Sequence, residues 1–383
     1  MNKLSFTDCV YITETVVKNF DGTKKYVSTG ALDCDHIDYS QVEEVTYDSK
    51  PSRANLTAHA GDILFAKMQG TKKTIILDAE TKEHIYSTGF CAVKPKPEVI
   101  TNRCLYHLIS SAEFLHQKDK YCSGATQKAI TNSGLQKIII SIPDIAKQSE
   151  IADCLDLIDY ATVICHQILK LFDQLVKSRF VELFGDILCN DKGWPIYSLD
   201  SISSSRLGKM LDAKQNTGKN SFPYLANFNV QWFEFDLSKL HEMDFTDAEC
   251  EEFSLKDGDL LITEGGEVGR CAIWHNEIPN CYFQKALHRV RCDKNIILPE
   301  YLAWWFKFHS DFNGFEDIVG GKATIAHLPG VKLKKLQIEV PDINVQKDFV
   351  LFWRKIDKSK SAIKECLQKT EYLKSALMQK FFG

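Results

Sequence analysis

The chain contains the same sequence pattern twice, 198 residues apart, and this duplication constrains its fold more than any other feature. The matching segments are Pro143-Asp144-Ile145 with Pro341-Asp342-Ile343, Ile158-Asp159 with Ile356-Asp357, Phe184-Gly185 with Phe382-Gly383 and, one position short of that offset, Gly61-Asp62 with Gly258-Asp259. A solenoid repeats every 20 to 50 residues, roughly, whereas a period of this length matches the size of an independent domain. The sequence therefore predicts two similar modules, an arrangement suited to recognition of a two-part target.

Each repeat ends in a long helical pattern that begins after Pro143 or Pro341. Apolar residues recur there at alternating steps of four and three, at Ile151, Leu155, Ile158, Cys165, Leu169, Phe172, Val176 and Leu183, with Thr162 and Arg179 interrupting the series. The second copy keeps the pattern at Phe349, Trp353, Ile356, Ile363, Leu367, Leu377 and Phe381, with Lys360, Thr370 and Lys374 interrupting. This heptad spacing is typical of a coiled coil, and Gly185 and Gly383 stand where helices commonly end. We predict two long helices that pair with each other in an antiparallel coiled coil. The alternative is that each helix packs on its own globular domain.

The front part of each repeat mixes strand and helix patterns. Short apolar runs broken by Gly, Asn, Asp and Pro predict strands at residues 26–28, 62–65, 74–77, 138–142, 259–262 and 336–340. Helical spacing of apolar residues predicts helices over residues 103–116 and 299–309. The fold class expected from these patterns is α+β.

Composition narrows the possible functions. The densest apolar runs, such as Ala303-Trp304-Trp305-Phe306, are far shorter than the about 20 residues of a membrane span, so we expect a cytoplasmic protein with no membrane partner. The thirteen cysteines form no Cys-x-x-Cys pair, which indicates reduced thiols rather than a metal site. Because the formal net charge is −4, any contact with nucleic acid would have to come from local basic patches.

One stretch of the first repeat carries a family resemblance. The segment Ser123-Gly124-Ala125-Thr126-Gln127-Lys128-Ala129-Ile130 leads to Ile140-Ser141-Ile142-Pro143 and then to Asp144-Ile145-Ala146-Lys147-Gln148. These residues resemble the junction between a target recognition domain and a helix in the specificity subunits of type I restriction-modification enzymes. The second repeat keeps Gly320, Gly321 and Thr324 but has Ile325 where the first has Gln127.

The resemblance implies an architecture, a function and partners. Two mixed α/β target recognition domains, residues 1–142 and 186–340, would be separated by two long antiparallel coiled-coil helices, residues 143–185 and 341–383, in a pseudo-two-fold internal repeat. Each head would read one half of a bipartite, asymmetric DNA site, and the helix pair would set the spacer. The implied partners are double-stranded DNA, two methyltransferase (modification) subunits and endonuclease/translocase (restriction) subunits.

Candidate DNA contacts are polar and basic residues in predicted turns. In the first repeat they are Lys67, Gln69, Thr71, Lys72, Lys73, Thr126, Gln127 and Lys128, and in the second they are Arg206, Lys209, Lys214, Arg270, Gln284, Lys285, Lys322 and Thr324. Arginine pairs bidentately with guanine and glutamine with adenine, which favours Arg206 and Arg270 for guanine and Gln127 and Gln284 for adenine. Each of these residues could instead belong to a solvated hairpin surface.

Partner contacts are expected at the helix starts, where exposed residues around Gln148, Glu150, Gln346 and Asp348 are candidates for methyltransferase binding. Polar residues at a helix start also serve simply as caps and dipole partners.

The sequence does not favour an enzyme. It has no Asn-Pro-Pro-Tyr/Phe segment for adenine methylation and no Gly-x-x-x-x-Gly-Lys-Ser/Thr phosphate loop. The glycines at 265, 266 and 269 follow a predicted strand and lead into Arg270-Cys271-Ala272-Ile273, which indicates a turn between strands rather than a cofactor cradle. Together with the resemblance, which implies DNA recognition, this absence of catalytic motifs predicts a non-catalytic DNA-recognition subunit with no cofactor. The alternative is a protein-interaction scaffold with two peptide-binding heads.

Overall fold

The structure, a computed structural model, describes residues 2–211, 218–312, 314–315 and 327–383. Contacts between Cα atoms divide the chain into two compact units. The first unit contains Met1–Ile168 and Ile363–Gly383, and the second contains Leu169–Ala362. The two boundaries between the units fall inside the two longest helices.

The first unit combines three sheets with short helices. Its strands are β1 (Asn2–Ser5), β2 (Val10–Ile12), β3 (Lys24–Val27), β4 (Leu32–Asp33), β5 (His36–Ile37), β6 (Glu43–Val45), β7 (Ala54–Leu56), β8 (Ile63–Ala66), β9 (Thr74–Ile76), β10 (Ile85–Ser87), β11 (Phe90–Pro95) and β12 (Ile139–Ile142). Its helices are α1 (Phe6–Cys9), α2 (Asn102–Ile109), α3 (Ala112–Lys120), α4 (Asn132–Leu135) and the beginning of α5 (Ile145–Phe184). The sheet orders are β2-β11-β8-β9, β6-β3-β10-β7 and β1-β12, with β4 and β5 forming a separate small pair.

The second unit has a similar composition. Its strands are β13 (Ile196–Ser198), β14 (Ser203–Leu207), β15 (Ser221–Leu225), β16 (His241–Asp244), β17 (Leu260–Thr263), β18 (Cys271–Ile273), β19 (Tyr282–Phe283), β20 (Leu287–Cys292) and β21 (Gln337–Glu339). Its helices are α6 (Leu199–Ile202), α7 (Asp247–Glu252), α8 (Pro299–Asp311), α9 (Gly330–Lys334) and the beginning of α10 (Ile343–Phe382). The sheet orders are β14-β20-β17-β18, β16-β15-β19 and β13-β21.

The sequence repeat is also a repeat of topology. The antiparallel sheet β2-β11-β8-β9 has the same order as β14-β20-β17-β18, and β8, β9 and β11 become β17, β18 and β20 by a constant shift of 197 residues. The parallel pair in the other sheet recurs as well, since Ile85 lies opposite Tyr26 in the first unit and Tyr282 opposite Tyr224 in the second. The predicted pseudo-two-fold internal repeat and the α+β class are therefore confirmed.

One predicted helix is wrong. Residues 103–116 do not form a single helix, because the helix is interrupted at Ser110 and Ser111, between α2 and α3. The Ser111 hydroxyl accepts a hydrogen bond from the Phe114 amide at 3.2 Å and so caps the start of α3. The helical periodicity of the sequence continues across this break, which is why the pattern alone did not reveal it.

The two 40-residue helices α5 and α10 run antiparallel within each unit. In the first unit the Lys374 ammonium is paired with Asp159, and in the second Lys360 Nζ donates to Asp173 Oδ1 at 2.6 Å. Residue numbers therefore rise along α5 while they fall along α10, which confirms the predicted antiparallel pair.

Both helices also contribute to the cores of the units. Ile151 and Leu155 of α5 are buried with Met378 and Phe382 of α10 in the first unit, and Phe180 and Phe184 of α5 with Phe349 of α10 in the second. The antiparallel pair is thus fixed by packing as well as by charge. Among the helices of the described ranges, none has both the length and the apolar character needed to cross a membrane.

Candidate nucleic-acid interface

In the first unit, two predicted contact regions form one surface. The 67–73 loop connects β8 to β9 and turns at Gly70, whose φ of +72° is a conformation that glycine adopts without strain. The 123–130 segment runs alongside it. The backbone N–H of Gln69 donates to the Lys128 carbonyl, and the backbone N–H of Ile130 donates to the Lys67 carbonyl, both at 3.0 Å. Candidate residues more than fifty positions apart are thus brought together by backbone pairing.

The side chains of this surface differ in their availability. Gln69, Lys72, Thr126, Gln127 and Lys128 are exposed, whereas Lys67, Thr71 and Lys73 are partly buried. Lys67 Nζ lies 2.8 Å from Glu14 Oε1, and Lys73 Nζ donates to the Thr29 carbonyl at 2.8 Å. Lys67 and Lys73 therefore already have partners that hold the two ends of the loop.

Arg53 is an additional cation on this surface that the sequence analysis did not identify. Its Nη2 donates to Gln127 Oε1 at 3.2 Å, and both side chains are exposed. Because Oε1 of Gln127 accepts this hydrogen bond, Nε2 remains as the donor of the same side-chain amide. No local pattern marks Arg53, because it lies 74 residues from its partner and just before the short strand β7.

The second unit repeats the backbone arrangement with different side chains. The Leu328 amide donates to the Glu264 carbonyl at 2.7 Å, in the positions that Ile130 and Lys67 occupy in the first unit. Gly265 bridges to His327 as Met68 does to Ala129. Lys214, Lys322, Thr324 and the position of Ile325 lie outside the described residues.

The candidate arginines of the second unit are engaged with neighbouring residues. Arg270 Nη2 donates to Asn227 Oδ1 at 2.8 Å, and Nη1 lies 3.8 Å from Glu267. Arg206 is paired with Glu252 and lies over the ring of Phe253. A contact with guanine would require each guanidinium to exchange or share these partners.

Lys209, Gln284 and Lys285 lie together near the end of β14. The Lys285 amide donates to the Lys209 carbonyl at 2.8 Å, and Lys209 forms an isolated bridge with Gln284. Lys209 Nζ is largely buried, with Glu249 Oε2 at 2.6 Å and the Asp244 carbonyl at 2.7 Å. Lys285 is exposed, so its ammonium is the more accessible of the two.

The expected exposure of Gln148 and Gln346 is wrong, because both side chains are completely buried. Gln148 Oε1 accepts from the Thr101 amide at 2.8 Å, while Nε2 donates to the carbonyls of Val99 and Pro143. Gln346 makes the same three bonds in the second unit, with Leu298, Ile296 and Pro341. The segment before α2 or α8 covers each glutamine, which a helix-start position in the sequence does not reveal. Glu150 and Asp348 are exposed.

Both repeats of the chain match a known protein family. The model of the family described as "Type I restriction modification DNA specificity domain" matches residues 10–171 and 191–374. S.HindORF215P of Haemophilus influenzae, placed by its name among type I restriction enzyme specificity subunits, is 25% identical over 277 residues, which are 70% of this chain and 68% of that protein. The type I restriction enzyme EcoKI specificity subunit of Escherichia coli is 25% identical over 310 residues, 76% of this chain and 66% of that protein.

Two solved structures share the fold. The type I restriction-modification system S subunit from M. genitalium aligns with a TM-score of 0.60 at 14% identity, covering 100% of this chain and 96% of that one. A chain from a structure of the type I R-M system, described in terms of complex assembly and conformational transition, aligns with a TM-score of 0.59 at 16% identity over 99% of this chain and 96% of that one.

Proposed function

Because this chain belongs to the family of type I restriction modification DNA specificity domains, we propose that it gives a type I restriction-modification complex its DNA sequence specificity. The observation that carries the proposal is the match of the family to both repeats, which together cover most of the chain. Relatives that align over 70% and 76% of the chain are named as specificity subunits of such enzymes. The scaffold alternative has no comparable support.

The two heads, residues 1–142 and 186–340, each read one half of a bipartite target. They place the same loop pair on the same sheet but equip it differently, since Lys67 and Gln69 correspond to Glu264 and Gly266. Side chains with different donors and acceptors select different base edges in the major groove. The two half-sites therefore differ in sequence, and the complete site is asymmetric.

In the first head, the exposed residues supply the contacts. Gln69 and Gln127 carry amides that can reach base edges, and Lys72, Lys128 and Arg53 carry charges for phosphate oxygens. Lys67 and Lys73 act indirectly, by holding the loop. In a chain with net charge −4, such a local cluster provides the electrostatic attraction that its overall charge does not.

The second head depends more on exchange of partners. Arg206 and Arg270 reach DNA by releasing Glu252 and Asn227, respectively, while Lys285 is already available. Glu252 beside Arg206 and Glu267 beside Arg270 then discriminate against wrong sequences, because a guanidinium leaves a carboxylate only for a good bidentate acceptor. Lys209 serves mainly to position its neighbours.

The helical segments, residues 143–185 and 341–383, set the spacer between the half-sites. A 40-residue helix is about 60 Å long at about 1.5 Å per residue, and two paired helices are stiffer than one. The chemistry comes from the partners, two methyltransferase subunits and the endonuclease/translocase subunits. Glu150 and Asp348 are the remaining candidates for methyltransferase contact, and the complex acts on DNA in the cytoplasm.

The test is to co-express the chain with its methyltransferase subunit and to map methylated bases across host DNA by single-molecule sequencing. We expect a split, asymmetric motif that disappears when this chain is deleted. Exchange of residues 1–142 for those of a relative should change one half of the motif and leave the other half and the spacer intact. Methylation that survives deletion of the chain, in an assembled complex, would refute the proposal.

A further inference from the structure

A buried lysine lies directly beneath the 67–73 loop. The side chain of Lys118, near the end of α3, is only 1% exposed. A buried ammonium is costly unless polar groups surround it. Lys118 Nζ donates to the carbonyls of Thr71 at 2.8 Å and Met68 at 2.9 Å, and lies 3.5 Å from that of Ala66. All of these acceptors belong to the loop or to the end of the strand that precedes it.

The next residue holds the same loop through the opposite kind of group. Asp119 Oδ2 accepts a hydrogen bond from the Gly70 amide at 3.1 Å, at the tip of the turn. The Asp119 carbonyl lies 3.5 Å from Gln69 Nε2, and its Oδ1 lies 3.4 Å from Lys118 Nζ. One dipeptide of α3 thus binds loop carbonyls through an ammonium and a loop amide through a carboxylate.

This arrangement is more specific than apolar packing. A leucine or methionine at position 118 would fill the space, but it could not distinguish one loop conformation from another. The Lys118 ammonium is satisfied only when the carbonyls of Met68 and Thr71 both point inward, which fixes the peptide planes on either side of Gly70. With those planes fixed, Gln69 and Lys72 leave the loop in defined directions.

We infer that Lys118 and Asp119 are positioning residues that determine which bases the first head accepts, although Lys118 is too deeply buried to touch DNA. The inference rests on the proposed function and deepens it. It assigns the selectivity of one half-site to the shape of the 67–73 loop as well as to its exposed side chains. Loss of this support relaxes the loop, so that several conformations each accept different bases.

The experiment uses the full chain in complex with its methyltransferase subunits. Complexes carrying the native chain, Lys118→Met, Asp119→Ala or Asp119→Asn select from DNA duplexes randomised at both half-sites, and the selected sequences are counted. Lys96→Met is the matched control, because Lys96 Nζ donates to the Thr7 carbonyl in the same unit but not to the loop. Thermal unfolding of each chain is measured in parallel.

We expect Lys118→Met to lower discrimination at positions of one half-site by about 5- to 100-fold, the range of one good base contact. The other half-site and the spacer should not change. Asp119→Ala should act in the same direction, whereas Asp119→Asn, which keeps an acceptor for the Gly70 amide, should stay close to the native chain. Lys96→Met should leave both half-sites unaltered.

Two results would overturn the inference. In the first, Lys118→Met retains the native base selectivity at both half-sites, which would show that support of the loop has no effect on selectivity. Both could instead degrade together as the unfolding temperature collapses, so that Lys118 serves the fold in general. If the native complex itself selects no split motif, the proposed function fails, and that outcome is read from the native chain alone.

Discussion

Replacement of Gln148 by methionine tests whether this residue is structural or a partner contact. Its side chain is fully buried and joins three parts of the first unit. Oε1 accepts from the Thr101 amide just before α2, and Nε2 donates to the carbonyls of Val99, at 2.9 Å, and Pro143, at 3.0 Å. The amide therefore fastens the start of α5 to the segment that leads into α2.

The size of the effect follows from those three bonds. Methionine has nearly the same volume, so the cavity contribution is small. Three backbone groups lose their partner in a buried setting, at about 1–3 kcal/mol each, and local relaxation recovers part of this. We expect a loss of about 3–5 kcal/mol in the free energy of unfolding. At about 2–4 °C per kcal/mol for a unit of this size, the melting temperature of the first unit should fall by roughly 6–20 °C.

The second unit supplies a matched variant. Gln346 makes the same bonds to Leu298, Ile296 and Pro341, so Gln346→Met should destabilise the second unit by a similar amount. Calorimetry gives the two transitions, and hydrogen exchange assigns each to a unit. Glu150→Gln is the control, because Glu150 is exposed and its replacement should alter stability by less than about 0.5 kcal/mol.

A specific result would refute this reasoning. If Gln148→Met melts within about 1 °C of the native chain but no longer binds the methyltransferase subunit, the three buried bonds contribute little. The side chain would then have to become accessible in the complex. Unchanged melting together with unchanged binding would equally contradict the estimate.

Three further predictions concern charge. Burial lowers the pKa of His309 from 6.5 to about 4, so the neutral imidazole stabilises the folded second unit. This contribution to the free energy of unfolding amounts to about 3 kcal/mol. It is complete above pH 6.5 and is lost as the pH falls towards 4. Denaturant unfolding at several pH values should show this loss in the native chain and not in His309→Phe. Lys72→Ala and Lys128→Ala should each weaken DNA binding equally for all sequences and reduce the salt slope by about one; altered base preference would contradict a phosphate role. Asp159→Lys or Lys374→Asp alone should lower the free energy of unfolding, and the double variant, which restores the ion pair with its charges exchanged, should recover about 0.2–1 kcal/mol of that loss. A double-mutant cycle that shows no recovery would contradict the register of the two helices.

The six strands predicted from the sequence, which correspond to β3, β8, β9, β12, β17 and β21, were predictable because their signals are local. Gly61 and Gly258 adopt φ values of +85° and +88°, and the following aspartates are buried and accept a hydrogen bond from the amide three residues earlier. Each Gly-Asp pair thus specifies the same turn before a strand of four buried residues, β8 or β17. Turn chemistry and apolar runs of this kind lie within a few residues of each other and can be read without knowledge of tertiary contacts.

The availability of the candidate site residues was not predictable in this way. Lys67 looks like a free cation in the sequence, but its partner Glu14 lies on a distant part of the chain. The same is true of Lys209 and Glu249, and of Arg53 and Gln127. A charged residue in a turn is exposed or satisfied depending on contacts that only the folded chain creates.

The two repeats share the buried glutamine bonds at the start of each long helix but differ in the side chains of their loops. Gln148 and Gln346 make the same three bonds, so the attachment of each front part to its long helix is the same in both copies. The loops above differ, with Glu264 in the position of Lys67. If the loops contact bases as proposed, a change in the attachment would displace every contact of a head at once, whereas a change in a loop would alter one or two base contacts and leave the rest in place. Under the proposed function, specificity would therefore diverge residue by residue in the loops, but only while the buried glutamine bonds stay intact.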